Sequence, residues 1–299
     1  MKKTICAIIK NEQAFLKEWI EWHLSLGFDT IHLYEDKGSE SHEEIVAEYN
    51  NVFLRRYETD EEIKALLEAQ GSAARQTVLY NWFGTTHKED YDWVAFIDID
   101  EFIVFNNGYT LDSFCKEFEP YSAVLMNWRM MGANGHISKP EVSVTEAYTM
   151  ESPSLPQDYG YNYKSLCNLK KWKGLIHNHL AEGCVNTNHK EDIHEIQYDK
   201  VALNHYFTKS WEDWCDRIFK RGGTQNGHRT LAQFFEVNPD MEHLRIELIR
   251  SVADLVPVGT YWLDKENRII AGGNVRKVMA LNQKNDNIEK MPRPEEAVI

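Results

Sequence analysis

The sequence lacks paired cysteines, long apolar stretches and a secretion signal. Its five cysteines are an odd number, widely spaced and without a Cys-x-x-Cys pair, which favours reduced thiols in a cytosol-like compartment. No stretch approaches the ~18 apolar residues that span a bilayer, and the first residues lead into a β-prone run without a signal-peptide core. We therefore expect a cytoplasmic protein with no transmembrane segment. Peripheral contact with a membrane surface is compatible with this expectation.

Basic residues are also scarce. The chain has 33 Lys and Arg against 47 Asp and Glu, which gives a formal net charge of -14. A nucleic-acid-binding surface needs concentrated Lys and Arg, so nucleic acid is not an expected partner. A small anionic ligand stays compatible with this charge, because a metal ion and a few local cations can hold a diphosphate inside an acidic protein.

Several catalytic and cofactor signatures are absent. The chain has neither a G-x-G-x-x-G nor a G-x-x-x-x-G-K-[ST] loop, and no G-x-S-x-G elbow, so the usual dinucleotide, P-loop and serine hydrolase sites are not expected. A cluster of histidines lacks H-E-x-x-H spacing and has no cysteine partners at zinc spacing, which disfavours a structural zinc site. The cluster comprises His177, His179, His189, His194 and His205.

The most informative feature is a group of acids between two apolar runs. Asp98, Asp100 and Glu101 separate the apolar residues 93–97 from residues 102–105. A run of this length predicts a central strand covered on both faces, and carboxylates at its end would lose water at a high cost. Side chains two apart in a strand point the same way, roughly 7 Å apart, so Asp98 and Asp100 are expected to share a cleft. Mn²⁺ or Mg²⁺ would relieve their repulsion; the alternative is a pair of solvated loop acids.

Strand-like and helix-like segments alternate through the first half of the chain. Strands are expected at 4–9, 30–34, 52–57, 93–97 and 123–128, and helices at 15–26, 41–49, 60–83 (with a break near residue 71) and 111–118. This alternation predicts an α/β fold with a mainly parallel sheet, a mixed edge and helices on both faces. Ligands bind beyond the carboxyl ends of such strands, where Asn11, Glu12, Asp36 and the acidic pair all lie.

The second half is less regular. Residues 152–160 are expected to form a flexible excursion, residues 211–222 and 230–255 helices, residues 261–271 a hairpin, and residues from 282 onward a polar tail.

Five segments carry a resemblance to known enzymes. They are IIKNE at 8–12, YEDKGS at 34–39, FIDIDEF at 96–102, WRMMGANG at 128–135, and NHYFTKS at 204–210 with Arg221-Gly222 beyond it. The chain resembles the family-2-like and family-92-like glycosyltransferases of the GT-A fold. The segments occur in the family's order and cover about residues 4–222, and the ordered set is more specific than any one segment.

The resemblance implies a metal-dependent transfer of a sugar from a nucleotide-diphosphate sugar to a glycan or glycolipid hydroxyl, with inversion at the anomeric carbon. Mn²⁺ or Mg²⁺ would be the cofactor. Residues 1–222 would form the GT-A-like catalytic domain, and residues 223–299 a helical extension with the hairpin and the polar tail.

The resemblance also implies roles for matched positions. Residues expected on the nucleotide are Asn11, Glu12, Asp36 and Asp98, with Arg75 and Gln76 as further candidates on a helix. Residues expected at the metal are Asp98, Asp100 and His205, and those expected at the acceptor are Trp128, Arg129, Gly135 and His136. The catalytic group would comprise Asp98, Asp100 and Glu101.

Most of these residues also have a structural alternative. Glu12 would cap its helix through the helix dipole, and Asp36 would be an ordinary turn residue. His205 and Trp128 would belong to the core, and Arg75 and Gln76 would lie on a solvated surface.

The catalytic base is not identified. An inverting transfer needs a carboxylate or histidine to take the proton of the acceptor hydroxyl. Glu101 is close in sequence, but adjacent residues on a strand point to opposite faces, so a structural role for Glu101 is the alternative. Other candidates for the base are Glu151, Asp158, His177 and His179. Two positions depart from the family pattern. The turn at residue 35 reads EDKGS, which implies altered base contacts, and Met131 replaces the usual Phe.

Two other functions stay open. A phosphatase of the haloacid-dehalogenase type also ends a hydrophobic strand in D-x-D, although Phe102 stands where that class has Thr or Val. A non-catalytic sugar- or nucleotide-binding module is the second. Phosphate release from simple phosphomonoesters would favour the first, and a failure to hydrolyse or transfer a nucleotide sugar would favour the second.

Overall fold

A computed structural model describes residues 1–68, 75–153, 162–219, 231–245 and 247–248, together with the backbone of 261–263, 269–271 and 289–290. The strands and helices of the first half are β1 (Lys3–Ile9), α1 (Gln13–Ser25), β2 (Thr30–Glu35), α2 (Glu43–Val46), β3 (Val52–Arg56), α3 (Glu61–Glu68), α4 (Arg75–Thr86), β4 (Trp93–Phe96), β5 (Glu101–Phe105), α5 (Leu111–Glu117) and β6 (Ala123–Met130). Those of the second half are α6 (Val144–Ala147), β7 (Tyr163–Asn168), β8 (Leu175–His177), β9 (Leu180–Ala181), β10 (Cys184–Val185), β11 (Val201–His205), α7 (Trp211–Phe219), α8 (Leu231–Val237), β12 (Tyr261–Leu263), β13 (Ile269–Ala271) and β14 (Glu289–Lys290).

The chain divides into two compact units. The first comprises Met1–Arg129 and Tyr159–His205, and the second comprises Met130–Asp158 and Tyr206–Ile299. The predicted domain boundary at residue 222 lies outside the described residues and therefore stays a prediction. Other predicted features also lie outside the described residues: Arg221 and Gly222, the helix break near residue 71, most of the excursion at 152–160 and most of the polar tail.

Within the described residues, the main sheet has nine strands in the order β3-β2-β1-β4-β7-β6-β11-β5, and β10 pairs with β6. Strands β3, β2, β1 and β4 run parallel to one another. Strand β7 runs antiparallel to both β4 and β6, and β11 runs antiparallel to β5. The predicted α/β fold with a mainly parallel sheet and a mixed edge is confirmed.

Helices cover both faces of this sheet. Cys6 on β1 packs in one buried cluster with Leu79 and Phe83 of α4. Lys3, which lies an odd number of residues away, forms an ion pair of 2.6 Å with Asp112 of α5. Because successive side chains of a strand point to opposite faces, α4 and α5 lie on opposite sides of the sheet.

Helix α1 supports the acidic segment through its tryptophans. Trp19 is fully buried, and its indole Nε1 donates hydrogen bonds to the backbone oxygens of Glu101 at 2.9 Å and Asp98 at 3.1 Å. Trp22 donates similarly to the backbone oxygen of Ile103 at 2.9 Å. The indole donors therefore fix the backbone around the acids, while the rings fill the core.

His23 on α1 makes the stability of the protein depend on pH. The ring is fully buried, donates from Nδ1 to the Trp19 backbone oxygen at 2.7 Å and accepts at Nε2 from the Ile103 N–H at 3.3 Å. Burial lowers the pKa of His23 to about 3. The folded pKa thus lies below the ordinary value, so this contribution to stability is complete above about pH 6.5 and is lost as the pH falls toward 3, by about 1.4 kcal/mol per pH unit. Urea unfolding between pH 7 and pH 4 measures this loss.

The matched variant for this test is His23→Gln, which keeps a donor and an acceptor but does not titrate. We expect it to be less stable than the wild type at pH 7 and to lose less stability on acidification. His32, whose pKa burial lowers to about 4, titrates in both proteins, so the difference between the two slopes reports His23. Parallel pH profiles would assign the acid sensitivity to other groups.

In the second unit, β12 pairs antiparallel with β13 in the stretch where the sequence predicts a hairpin, and β14 pairs with β12. Ser210 precedes α7, and its hydroxyl oxygen accepts a hydrogen bond of 3.0 Å from the Asp213 N–H, which gives this helix a capped start. Across the described residues, no helix has the length and apolar character that a membrane crossing requires.

Candidate active site

The acidic segment is a turn between two strands with different neighbours. Strand β4 ends at Phe96 and β5 begins at Glu101, and the Glu101 N–H donates to the Asp98 backbone oxygen at 3.1 Å. The strand predicted at residues 93–97 is present as β4, but the expectation that the chain stays extended through Asp98 and Asp100 is wrong, so strand alternation does not orient the pair. The apolar residues on either side do lie in strands, but β4 pairs with β1 and β7 whereas β5 pairs with β11.

Protein groups hold both carboxylate oxygens of Asp98. Lys164 Nζ lies 2.8 Å from Oδ2, and Gln76 Nε2 donates to Oδ1 at 2.9 Å. Lys164 has no exposed side-chain surface and belongs to β7, which the sequence reading did not identify. The available signal was a single lysine in the β-prone stretch YKSLCN, between flanking strands rich in apolar residues.

Burial and neighbouring charges together determine the protonation states of Asp98 and Lys164. Burial alone would raise the pKa of Asp98, but the Lys164 ammonium outweighs it, so the pKa of Asp98 lies below its usual value. Burial alone would lower the pKa of Lys164, but Asp98 and Glu101 raise it. The Lys164–Asp98 pair therefore stays charged near neutral pH.

Glu101 lies beneath the turn. Its side chain is fully buried, its Oε2 accepts a hydrogen bond of 2.8 Å from the Asp98 N–H, and its Oε1 lies 3.8 Å from Lys164 Nζ. Burial raises the pKa of Glu101 well above its usual value, although Lys164 opposes this. These contacts favour the structural alternative, in which Glu101 shapes the turn, and its catalytic role stays a prediction.

Asp100 lies beside His205. Asp100 Oδ1 is 3.7 Å from His205 Nε2, and the two residues are 7% and 6% exposed. The antiparallel pairing of β5 with β11 places His205 opposite Glu101, which brings the imidazole to the acidic turn. A carboxylate and an imidazole are ligands that Mn²⁺ accepts.

The loop after β1 and the loop after β2 are joined by hydrogen bonds. Asn11 adopts a left-handed conformation with φ of 54°, its N–H donates to Ser39 Oγ at 3.2 Å, and its Oδ1 accepts from the Glu40 N–H at 2.8 Å. Glu12 occupies the N-cap position of α1, but its side chain makes no capping hydrogen bond. A hydrogen-bonded cap from the Glu12 side chain is therefore absent, while its attraction to the helix dipole stays a prediction.

A buried histidine forms the base of these two loops. His42 is fully buried, its Nδ1–H donates to Glu35 Oε1 at 2.8 Å, and its Nε2 accepts from the Glu12 N–H at 3.0 Å. Glu35 also accepts from the His42 N–H at 2.6 Å and from Arg56 Nε. The sequence reading missed this network, which holds the start of α1 against the β2 loop. We call the residues Glu35, His42 and Arg56 the loop anchor.

The first turn of α4 contacts two of the predicted nucleotide residues. Arg75 forms an ion pair with Asp36, and its guanidinium lies 5.5 Å from the centre of the Tyr57 ring. Gln76 bonds to Asp98 as described, and its Oε1 accepts from Asn178 Nδ2 at 2.7 Å. The structure thus brings Asp36, Arg75, Gln76 and Asp98 together as two bonded pairs, and it does not support a solvated surface for the helix residues.

The predicted acceptor residues divide between the two units. In the first, Trp128 is 4% exposed, and its ring centre lies 4.3 Å from that of His205. The Arg129 guanidinium lies 4.8 Å from the Tyr198 ring centre. In the second, Gly135 has a φ of 78°, and His136 Nε2 is 3.1 Å from the Ala147 backbone oxygen.

The candidate bases have different surroundings. His177 and His179 flank the β8–β9 turn, next to Asn178. Burial, with Lys164 adding to it, lowers the pKa of His179 to about 3 and lowers that of His177 as well. Both rings are therefore neutral near pH 7. Glu151 is exposed in the second unit, and Asp158 lies outside the described residues.

Comparison with known sequences identifies relatives of this chain. The sequence model of glycosyltransferase family 92 matches residues 4–243. A glycosyltransferase family 92 protein of Oryza sativa subsp. japonica is 25% identical over 223 residues, which covers 74% of this chain and 35% of that protein. One of Arabidopsis thaliana is 21% identical over 231 residues, which covers 74% and 37% respectively. The chain thus spans about a third of the length of these curated relatives.

Solved structures show only a distant likeness. An active-site mutant of LgtC is 13% identical, with a TM-score of 0.36, and the match covers 82% of this chain and 99% of that one. The 4-diphosphocytidyl-2C-methyl-D-erythritol synthase from Anaerococcus prevotii is 12% identical, with a TM-score of 0.31 and coverage of 56% and 72%.

Proposed function

Because the chain belongs to glycosyltransferase family 92, we propose that it transfers a sugar from a nucleotide-diphosphate sugar to a hydroxyl group of a glycan or glycolipid. The observation that carries this proposal is the acidic turn, where Asp98 is held by Lys164 and Gln76 and where Asp100 lies beside His205. The turn follows a parallel strand, at the edge of the sheet where α/β proteins bind their ligands.

The nucleoside would bind at the loops that follow β1 and β2. Asn11, Glu12 and Asp36 lie in these loops, and the ion pair of Asp36 with Arg75 links them to α4. The first turn of α4 also contacts Asp98, so one helix end supports both the nucleoside loops and the acidic turn. Asp98 would accept hydrogen bonds from the ribose or from water near the metal.

The donor set fits a divalent cation that shares its coordination with the substrate. Among the described residues, no group of three or more His, Cys, Asp or Glu side chains could hold a metal ion. Asp100 and His205 would supply two ligands, and Mn²⁺ or Mg²⁺ commonly completes its coordination with phosphate oxygens and water. When bound, the cation would neutralise charge that develops on the leaving diphosphate.

The remaining chemistry depends on side chains around the acceptor. We propose inversion at the anomeric carbon, with Trp128 and Arg129 on the acceptor side. A group that takes the acceptor proton must be unprotonated near pH 7, a condition that the neutral rings of His177 and His179 meet. Of these two, His177 is the better candidate, because a pKa of about 3 makes His179 a weak base.

We also propose a cytoplasmic location, because the five cysteines, all of them buried and within the described residues, form no disulfide bond. This proposal is independent of the reaction.

Nucleotide sugars tested with Mn²⁺ provide the test of the reaction. We expect at least one of them to raise the melting temperature of the full chain, because a ligand that binds the native state stabilises it. The same compound should release a nucleoside diphosphate on incubation, and excess EDTA should abolish both effects. Phosphate release from simple phosphomonoesters, without any response to nucleotide sugars, would contradict the proposal, and binding without turnover would indicate a non-catalytic module.

A further inference from the structure

A lysine without solvent contact lies beneath the acidic turn. Lys164 is 0% exposed, and its ammonium is 2.8 Å from Asp98 Oδ2 and 3.8 Å from Glu101 Oε1. Removing an ammonium from water is costly unless opposite charges and hydrogen bonds compensate it. The position of Lys164 on β7, between β4 and β6, leaves the ammonium close to these two carboxylates.

We propose that Lys164 is a positioning residue that gives Asp98 and Asp100 different roles in donor binding. Lys164 and Gln76 fix the Asp98 carboxylate, and the ammonium cancels its charge. Asp98 is then an oriented acceptor for the nucleotide rather than a second anionic ligand of the cation. The inference rests on the proposed function, because it assigns Asp98 to the nucleotide side of the same site.

The contacts of the two acids support this division. Asp98 receives Lys164 on one oxygen, Gln76 on the other, and its own N–H donates to Glu101, so its carboxylate and its backbone are both held. Asp100 Oδ1 lies 3.7 Å from Nε2 of the His205 imidazole, a type of side chain that binds metal ions. Asp98 is thus an acid whose two carboxylate oxygens are held by Lys164 and Gln76, and Asp100 is an acid beside an imidazole.

The charge of Lys164 predicts that its loss would change cation binding and nucleotide binding in opposite directions. The Lys164 ammonium offsets one negative charge of the acidic turn. Without it the turn carries one more net negative charge, so a dication bound alone would be attracted more strongly. The nucleotide would bind more weakly, because Asp98 loses its fixed orientation and the added negative charge repels a diphosphate. A purely structural lysine would weaken both kinds of binding in parallel.

The experiment compares the full-length wild type with Lys164→Met. Mn²⁺ alone is titrated and followed by electron paramagnetic resonance, and the uridine, guanosine, adenosine and cytidine diphosphates are titrated calorimetrically with excess Mn²⁺. We expect the variant to bind Mn²⁺ roughly tenfold more tightly and to bind the preferred diphosphate at least about tenfold more weakly. Equal or weaker Mn²⁺ binding in the folded variant overturns the inference.

A second variant keeps the test decisive if Lys164→Met does not fold. Lys164→Met combined with Glu101→Gln replaces the buried ammonium and the buried carboxyl group beneath the turn with uncharged side chains and keeps an acceptor for the Asp98 N–H, and we expect the same opposite changes. The matched control is Lys3→Met, which removes a 6% exposed lysine from its ion pair with Asp112 and should leave Mn²⁺ affinity unchanged.

Binding measurements on the wild type distinguish a failure of the proposed function from a failure of the proposed role of Lys164. If the wild type binds neither Mn²⁺ nor any of the diphosphates, the proposed function is wrong and the inference is wrong with it. If the wild type binds both and the variants bind them as the wild type does, only the role of Lys164 is wrong.

Discussion

Replacement of Asp100 by alanine is expected to abolish sugar transfer while the chain stays folded. Asp100 is 7% exposed and lies 3.7 Å from His205, the pair that we propose to hold the divalent cation. Lewis-acid stabilisation of a leaving diphosphate is worth several kcal/mol, so we expect kcat/KM to fall by about a thousandfold or more. Nucleoside diphosphate binding should also lose its dependence on Mn²⁺, which calorimetry with and without EDTA measures.

Two further variants make this result interpretable. Asp100→Asn keeps the shape and one neutral oxygen, and should retain the fold with activity close to that of Asp100→Ala. Asp199→Ala removes an exposed acid and should behave as the wild type. Circular dichroism and the melting temperature report folding in each case. Full activity of Asp100→Ala in excess chelator would remove the cation from the reaction.

The second large effect is expected on stability, from Glu35→Ala. Glu35 is 2% exposed and accepts hydrogen bonds from the His42 backbone N–H, the His42 ring and Arg56. Its removal leaves a buried ring donor and a buried backbone donor without their acceptor and takes the carboxylate from Arg56. Breaking a buried charged network by removing one partner costs about 3–5 kcal/mol, and we expect the free energy of unfolding to fall by this amount. Urea denaturation at pH 7 measures it.

The variant Glu35→Gln separates the loss of charge from the loss of hydrogen bonds. It keeps one oxygen acceptor at the same place, so its loss of stability should be clearly smaller than that of the alanine variant. Glu40→Ala, in the same loop but with an exposed side chain, serves as the surface control. Comparable losses in all three variants would show that the loop anchor contributes little beyond local packing.

The sequence allowed much of the parallel part of the sheet to be predicted. Strands β1 and β4 are short, mostly apolar runs that are buried throughout or nearly so, and β2 alternates half-buried Thr30 and His32 with buried Ile31 and Leu33. Such patterns predict burial directly. The rule that ligands lie beyond parallel strand ends selected Asp36 and Asp98 as candidate nucleotide residues, and that role stays a prediction. The ion pair of Asp36 with Arg75 is a contact that the rule does not address.

The acidic turn could not be predicted in the same way. Apolar residues on both sides of Asp98 and Asp100 suggest one strand, because a local pattern contains no information about which strands lie alongside. The structure has β5 paired with β11, whose sequence lies about a hundred residues away, and this long-range pairing requires the chain to turn at the acids. The burial of the strand before the acids was predicted correctly, but the expectation of an extended segment through the acids was wrong.

Lys164 was missed for a related reason. A lysine in a sequence is usually an exposed residue, and only the packing of β7 against β4 buries this one beside Asp98. The loop anchor was missed for the same reason. His42 and Glu35 match no sequence motif, and they form a hydrogen-bond network only because the two loops lie together in the fold. Polar groups that compensate one another inside a protein are recognised by their contacts and not by their spacing.

The loop anchor has a consequence for protein engineering. Residues 36–42 would be the cassette to exchange in a test of the proposed nucleoside-binding loops, but His42 at its end accepts a hydrogen bond from the Glu12 N–H in the neighbouring loop. A grafted cassette that omits this histidine, or that is placed in a host without equivalents of Glu35 and Arg56, would release the start of α1 as well. Chimeras should therefore transfer the three anchor residues together with the cassette.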